Sequence, residues 1–207
     1  MLLKVRSYDF AKEFADSAAR ILGKTDSYWV RRVNDARGQW FLVKVTSRLL
    51  YDFANRPFEE LSPVVGAFPA SFLRGFYAAE GSVSVNVSLR NGPRLNVGID
   101  LSNTDRSLLL FSRDLLVGLG LNPGAIRVAK RAGFRTNLGI ARSDGLVLSL
   151  SRLGNVLDFV AKVGFADKEK QAKITDALFL ISEMGPKEAA RFWQRKYRKE
   201  RAVWVRQ

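Results

Sequence analysis

Residues 72–81 carry the sequence FLRGFYAAEG, and the rest of the chain is arranged around this stretch. On a helix, the spacing of Gly75, Ala78 and Ala79 would form one smooth face where a second helix can approach closely. The stretch ends with Glu80, followed by Gly81, a residue suited to ending a helix. An acid there lies at the negative end of the helix dipole, which is unfavourable unless a cation offsets it. Taken alone, the pattern is typical either of a buried helix with an incidental glutamate or of a site built on a helix end.

The residues that follow favour a functional site at the helix end. Residues 82–89, SVSVNVSL, alternate polar and apolar side chains without a break, which predicts a half-buried strand that leaves the helix directly. A helix that ends in GFYAAEG and continues into an alternating strand resembles the LAGLIDADG motif of the homing endonucleases, in the form common in second repeats. Glu80 corresponds to the acidic position of that motif and Gly81 to its final glycine.

The resemblance implies a role for several residues. In that family two motif helices pack side by side, and the acid that ends each helix binds a divalent metal ion at the scissile phosphates. Glu80 is therefore the expected catalytic carboxylate and metal ligand, together with the backbone carbonyl of Ala79. The face formed by Gly75, Ala78 and Ala79 is the expected helix interface. The second motif helix would come either from another copy of the chain, in a homodimer, or from residues upstream of Met1.

The resemblance also implies a basic residue beside the metal ion. In first repeats this residue stands just after the second strand, where the chain has Arg6, our second candidate catalytic residue. In second repeats it stands about three residues after the acid, where the chain has Val83. A second acid is also needed. Asp9, Asp16 and Asp100 are the nearest candidates along the chain, but they are more typical of helix caps and surface charges.

Composition restricts the chemistry further. The 207 residues include 34 Lys and Arg against 20 Asp and Glu, which leaves a formal charge of +14 and predicts a polyanionic partner. The sequence has neither cysteine nor histidine, so thiolate chemistry, Ser-His triads and ordinary zinc sites are excluded. A metal ion here must be a hard cation bound by oxygen, and we expect Mg²⁺. No apolar run is long enough to span a membrane and no signal peptide opens the chain, so we expect no membrane partner and a cytoplasmic location.

The order of predicted elements repeats along the chain. Gly23 corresponds to Gly120, Asp9 to Asp105, Leu42 to Leu138 and Ser47 to Ser143, an offset of about 96 residues. The same offset would put a partner for the motif helix before residue 1. We therefore predict an α+β LAGLIDADG endonuclease-like fold, with an αββαββα unit of antiparallel, saddle-shaped sheets that is duplicated with an incomplete first repeat. The predicted domains are an incomplete repeat at 1–62, a complete repeat at 63–185 with its motif helix at 69–81, and a basic tail at 186–207.

Within the second repeat we predict strands at 82–89, 94–101, 125–130 and 135–142, then helices from 144 to 184. Asn103 or Thr104 is predicted to cap the intervening helix. Prolines 57, 63 and 69 indicate a linker before the motif helix. The tail is either an amphipathic helix packed on the body or a basic arm, and we favour a contact with phosphate.

The strands are the predicted surface for double-stranded DNA, because a two-stranded ribbon fits the major groove. Each single residue is equally typical of a solvated strand face, so only the set carries the prediction. The predicted DNA-binding residues are Ser82, Ser84, Asn86, Ser88, Arg90, Arg94, Asn96, Asp100, Arg127, Lys130, Arg131, Arg135 and Asn137, with Arg31, Arg32, Arg37, Gln39 and Lys44 in the first half.

Two functions follow from these patterns. The first is a site-specific, Mg²⁺-dependent double-strand DNA endonuclease of the homing type, intron-encoded as in that family. The second is a catalytically degenerate binder on the same scaffold, either a regulator or a maturase that acts on intron RNA. A second motif acid and an active-site lysine would separate them, and the sequence shows neither.

Overall fold

The computed structural model describes residues 1–36, 38–89, 92–136, 139–200 and 203–206. These residues form two compact units. The first consists of Met1–Phe68 with Ala166–Lys168, and the second of Pro69–Phe165 with Glu169–Gln207. The motif helix therefore opens the second unit.

The first unit contains a three-stranded antiparallel sheet. Its elements are β1 (Leu2–Val5), α1 (Tyr8–Ile21), β2 (Val30–Asp35), β3 (Gly38–Lys44), α2 (Arg48–Ala54) and α3 (Phe58–Ala67), and the strand order is β1-β3-β2. Ser7 caps α1 by accepting a hydrogen bond from the Phe10 amide at 3.3 Å, and Ser47 caps α2. The buried alanines of α1 pack with Val43 and Val45 as the core. The predicted linker is wrong over 58–67, because these residues form α3 with Pro63 inside it.

The second unit contains a four-stranded antiparallel sheet. Its elements are α4 (Pro69–Glu80), β4 (Gly81–Ser88), β5 (Arg94–Asn103), α5 (Arg106–Gly118), β6 (Arg127–Lys130), β7 (Arg135–Thr136), β8 (Gly139–Ile140), β9 (Gly145–Leu150), α6 (Leu153–Lys162), α7 (Lys168–Lys196), β10 (Tyr197–Glu200) and β11 (Val203–Arg206). The strand order is β4-β5-β9-β6, while β7 pairs with β8 and β10 with β11. With the β7–β8 pair set aside, the order α4-β4-β5-α5-β6-β9-α6 is the predicted αββαββα unit.

The fourth strand of this sheet lies elsewhere than predicted. Residues 145–150 form β9, where we predicted helix, and the predicted strand at 135–142 contributes only the short pair β7–β8. Pairing explains the error. In the first sheet Val43 lies between Leu3 and Val30, and in the second Val147 lies between Ser102 and Arg127. The counterpart of β3 is therefore β9, and the β7–β8 pair is an insertion that a constant repeat offset cannot accommodate.

The predicted faces of β4 and β5 agree with the structure. Val85, Leu95, Val97, Ile99 and Leu101 are buried in the core of the second unit, and Val83 and Val87 pack against it. The alternating polar residues Ser82, Asn86 and Asn96 are exposed, and Ser84, Ser88 and Asp100 are half-buried. Leu89 ends the predicted strand at 82–89, but it lies beyond the end of β4 and is exposed.

Residues 186–196 are part of α7, which bends at Gly185 where φ is 73°. After the bend, Ala189, Ala190 and Trp193 are fully buried in the core of the second unit, and Trp193 stacks on Tyr197 with ring centroids 3.8 Å apart. The alternative of a packed amphipathic helix therefore describes residues 186–196. A phosphate contact by the basic side chains of this segment stays a prediction.

Candidate nucleic-acid and metal site

The end of the motif helix opens onto a cleft of about 340 Å³ in the second unit. The residues that line it are Glu80, Ser102, Asn103, Thr104, Ala129, Lys130, Gly145 and Leu146. Strand pairing explains why they meet. Because α4 ends at Glu80 and β4 starts at Gly81, the pair Gly81–Leu101 brings the last residues of β5 beside the helix end. The pair Lys130–Gly145 then brings β6 and β9 to the same place.

Gly81 makes the sharp exit from the helix possible. A Cβ atom at this position would lie 2.8 Å from both Cα and Cδ1 of Tyr77 and would clash with the Tyr77 carbonyl oxygen. Real Cβ atoms do not approach other atoms this closely, so the chain requires glycine where α4 passes into β4. Gly75 differs, since a Cβ atom there would meet nothing within 4 Å.

The cleft offers mainly oxygen donors. Glu80 is exposed at the C-terminal end of α4, and the hydroxyls of Ser102 and Thr104 lie around the same opening. The Asn103 amide oxygen accepts a hydrogen bond from the Asp105 amide at 2.8 Å, and Asp105 caps α5. The predicted cap at Asn103 or Thr104 is therefore wrong. Carboxylate, hydroxyl and carbonyl oxygens suit a hard divalent cation, so the donor set fits Mg²⁺.

A lysine from a distant helix offsets the helix dipole. The Lys170 ammonium, on α7, donates to the carbonyl oxygens of Ala78 at 2.7 Å and Gly81 at 2.8 Å, on either side of Ala79 and Glu80. A cation at the last carbonyls of a helix counters the negative end of the macrodipole. It therefore makes an acid at Glu80 less costly. Sequence patterns missed Lys170, because it lies 92 positions along the chain from Ala78.

Lys173 lies one turn further along α7 and contacts the backbone of β4 two residues after Gly81. Its ammonium donates to the Val83 carbonyl oxygen at 3.4 Å. Burial lowers the pKa of Lys173, and nearby Glu169 acts in the opposite direction. The two lysines together place positive charge at the backbone carbonyls of the first residues of β4.

The structure does not bring the candidates for a second acid into this cleft. Asp16 forms an ion pair with Lys12 on α1, and this hydrogen bond lowers the pKa of Asp16. Asp9 pairs with Lys168 at 2.8 Å. Asp100 is on the sheet face, where it accepts a hydrogen bond from the Ser149 hydroxyl. Among the described residues, no group of three or more acidic side chains could hold a metal ion.

Arg6 and the predicted helix interface stay predictions. The Arg6 guanidinium lies in the first unit, 4.9 Å from the centre of the Trp40 ring. Of the three interface residues, Ala79 is exposed, Gly75 is half-buried and Ala78 is buried.

The predicted DNA-binding residues of the second unit mostly share one sheet face. Asn86 pairs with Asn96, Ser88 with Arg94, and Ser82 with Asp100, so these six side chains lie on one face. Arg127, Lys130, Arg131 and Arg135 are exposed. Patterns missed Ser149, which pairs with Asp100 across the sheet, because the strand that carries it was predicted to be helix. Arg37, Arg90 and Asn137 lie outside the described residues.

In the first unit the predicted residues lie on two faces. Arg31 pairs with Leu42, while Arg32 pairs with Phe41, and neighbouring residues of a strand point to opposite faces. Arg32 and Gln39 lie on the face of Phe41 and Val43 that packs on the core, although both side chains are exposed. Arg31 and Lys44 lie on the opposite face, so among the described members of the predicted set these two share a surface that faces away from the core.

Comparison with known proteins defines the class to which this fold and site belong. Residues 67–164 match the LAGLIDADG-like domain. The fold resembles that of the homing endonuclease I-DmoI. Mesophilic variants of that enzyme superpose with a TM-score of 0.51 at 20% identity, covering 79% of this chain and 78% of theirs. I-DmoI in complex with DNA and Mn superposes with a TM-score of 0.50 at 19% identity, covering 79% and 80%.

Two relatives come from Methanocaldococcus jannaschii. The uncharacterised protein MJ0398 is 33% identical over 181 residues, which are 85% of this chain and 61% of MJ0398. The uncharacterised protein MJ0314 is 29% identical over 123 residues, which are 58% of this chain and 45% of MJ0314. The chain thus spans less than two thirds of either relative. The domain match and the motif within it identify residues 67–164 as a LAGLIDADG-like domain.

No helix among the described residues is long and apolar enough to cross a membrane.

Proposed function

We propose that the chain is a site-specific double-strand DNA endonuclease of the homing type. The observation that carries the proposal is the exposed Glu80 carboxylate, which ends the motif helix in a cleft lined by oxygen donors and by Lys130. The polar face of β4 and β5 continues from this cleft and would contact base edges in the major groove. The formal charge of +14 supports binding to the phosphate backbone.

The expected cofactor is a divalent cation, and we propose that it is Mg²⁺. Glu80 and the Ala79 carbonyl would hold it, and Ser102 and Thr104 line the same cleft. When bound, such an ion supplies a Lewis acid at the scissile phosphate and makes a bound water more acidic. Lys130 would balance the charge that builds up on the phosphate. Lys170 would hold the carbonyls beside both ligands in place.

A full double-strand cut needs a second acid at the neighbouring phosphate. We propose that it comes from a second motif helix, which packs against Gly75 and Ala79 and belongs to another copy of this chain. Gly75 has open space beyond its Cα and Ala79 is exposed, which is compatible with close helix packing at this face. On DNA the protein should then have twice the mass of the 23.2 kDa chain.

A second candidate function is DNA or intron-RNA binding without cleavage. It is favoured by the cleft itself, where Glu80 is the one carboxylate among the described lining residues. Cleavage of duplex DNA therefore decides between the two candidates.

The test starts with a bound target selected from a pool of randomised duplexes in Ca²⁺, which is then cloned into a plasmid and incubated with the protein in Mg²⁺. We expect cleavage that EDTA abolishes. Glu80→Gln should lower the cleavage rate by on the order of a hundredfold or more, because it removes the charge that holds the cation. DNA affinity should change by only a few fold.

Asp158→Asn is the matched control, because Asp158 is an exposed carboxylate on α6 outside the cleft. It should cut at the wild-type rate. A wild-type protein that binds its target but cuts in neither Mg²⁺ nor Mn²⁺ would leave only the non-catalytic binder. Cleavage that survives Glu80→Gln would remove Glu80 from the site.

A further inference from the structure

One carboxylate lies within the polar face of the four-stranded sheet. Asp100 on β5 pairs with Ser82 on β4 and with Ser149 on β9, so the three side chains form a row across three strands. The Ser149 hydroxyl donates to Oδ1 of Asp100, and the Arg127 guanidinium lies 3.5 Å from the same hydroxyl oxygen. Arg127, Ser149 and Asp100 are thus linked in sequence by hydrogen bonds, with Asp100 as the final acceptor, and Ser82 lies beside Asp100 on the neighbouring strand.

The remaining acceptor capacity of Asp100 needs an explanation. Asp100 is half-buried, and within the described part of the chain Ser149 is the one group that donates a hydrogen bond to it. An ionised carboxylate can accept bonds at both oxygens. Leaving part of that capacity unused when a ligand covers the face costs free energy. The residue therefore fits a ligand that brings a hydrogen-bond donor to this point.

The charge of Asp100 excludes phosphate as that ligand. On a chain of +14, an acid on the nucleic-acid face weakens attraction to the phosphate backbone, so it cannot serve general affinity. Within the major groove, guanine presents two acceptors and thymine an acceptor with a methyl group, and both would oppose a carboxylate. Only the amino groups of cytosine and adenine can donate to it. Adenine sets its amino group beside the N7 acceptor, which also opposes a carboxylate, whereas cytosine has no such neighbour.

We propose that Asp100, held in place by Ser149, is a specificity-determining residue that accepts a hydrogen bond from the N4 amino group of one cytosine in the target duplex. This proposal rests on the proposed DNA binding by the sheet face. It differs from that function in assigning one base to one side chain. It also gives Ser149 a role, since its hydroxyl occupies Oδ1 and directs the other oxygen toward the groove.

The test compares base preference among variants. The wild-type protein selects sequences from a pool of randomised duplex DNA in Ca²⁺, and the selection is repeated with Asp100→Asn, Ser149→Ala and Asp158→Asn. We expect one position of the wild-type site to prefer cytosine by roughly tenfold or more over each other base, the usual size of a direct base contact. Asp100→Asn should abolish that preference at that position alone. Ser149→Ala should weaken it a few fold at the same position.

The Asp158→Asn control separates base recognition from charge. It removes one negative charge, as Asp100→Asn does, so both variants should bind random DNA more tightly. Asp158→Asn should nevertheless leave every base preference intact. Circular dichroism and thermal melting establish that each variant is folded, and Ser149→Ala carries the test if Asp100→Asn does not fold.

The outcomes distinguish the role of Asp100 from the proposed endonuclease function. Selection of a defined site whose preferences are the same in all variants would overturn the role of Asp100 and leave the proposed endonuclease intact. A wild-type protein that selects no sequence at all would overturn both.

Discussion

The two units share one sheet plan and differ in what is added to it. In both units, three strands are arranged so that the last of them along the chain lies in the centre. The order is β1-β3-β2 in the first unit and β5-β9-β6 in the second. The second unit adds α4 and β4 at the edge next to β5, and Glu80 lies at the junction of these two elements. The described residues of the first unit have no counterpart of this helix and strand. The shared sheet thus supplies the scaffold, while the added helix–strand pair supplies the candidate metal ligand Glu80.

The cores of the two units also differ in size. The first is built largely from alanines of α1 with Val43 and Val45, whereas the second includes Trp193, Tyr77 and Phe159 among its fully buried side chains. Burial of large aromatic side chains contributes more free energy than burial of alanine. The second unit should therefore be the more stable one.

The largest expected effect tests whether α7 belongs to that larger core. Trp193→Ala should lower the free energy of unfolding of the second unit by about 3–5 kcal/mol, because it removes a fully buried indole that stacks on Tyr197. Urea unfolding followed by circular dichroism measures the change. Trp29→Ala in the first unit is the matched control. Trp29 is 86% exposed, so this change should cost no more than about 0.5 kcal/mol. Equal effects of the two changes would contradict the assignment of the C-terminal helix to the core.

A smaller effect is expected where the motif helix passes into β4. Gly81→Ala should destabilise the second unit by about 1–3 kcal/mol, since its Cβ atom would clash with Tyr77. Gly75→Ala lies in the same helix but meets open space, so it should stabilise the helix by roughly 0.5–1 kcal/mol. Thermal unfolding of the pair measures the difference. If Gly75→Ala also prevents assembly on DNA while raising stability, the helix face is an interface. A stabilising Gly81→Ala would show that the close approach to Tyr77 is absent in solution.

The smallest expected effect concerns the cation at the helix end. Lys170→Met should destabilise the second unit by about 1–2 kcal/mol, because it removes two charge-assisted hydrogen bonds and leaves Glu80 beside an uncompensated dipole. Lys187→Met, an exposed change on the same helix, should cost no more than about 0.5 kcal/mol. Hydrogen exchange of the Gly81 and Ser82 amides locates the effect. Identical melting of the two variants would contradict the role of Lys170.

The sequence predicted the parts of the fold that rest on local patterns. The smooth helix face, the glycine after Glu80 and the unbroken alternation after it are periodic signals that fix an element and its direction together. For that reason the motif helix, β4, β5 and their faces were predicted correctly. Gly23 and Gly120, which correspond in the repeat, both have positive φ angles.

The parts that were wrong depend on distant contacts. The hydrophobic run at 145–150 is compatible with either a buried helix or a buried strand, and only its pairing with β5 and β6 determines the outcome. Lys170 reaches the motif through tertiary packing, which leaves no local pattern. The cleft could be predicted in part: Glu80 came from the motif, whereas Asn103 and Thr104 were predicted only as candidate helix caps. Their proximity follows from the antiparallel return of β5.

The lysines of α7 have one more consequence, for how the protein behaves at high concentration. β4 is the outermost strand of its sheet, and its valine-rich alternation would make it a ready template for a strand from another molecule. The carbonyl oxygens of Gly81 and Val83 are instead bound by ammonium groups of the same chain. Lys170 and Lys173 thus occupy acceptors that a strand from another molecule would need for edge-to-edge pairing. Chemical acetylation of these lysines should therefore increase aggregation of the protein at high concentration.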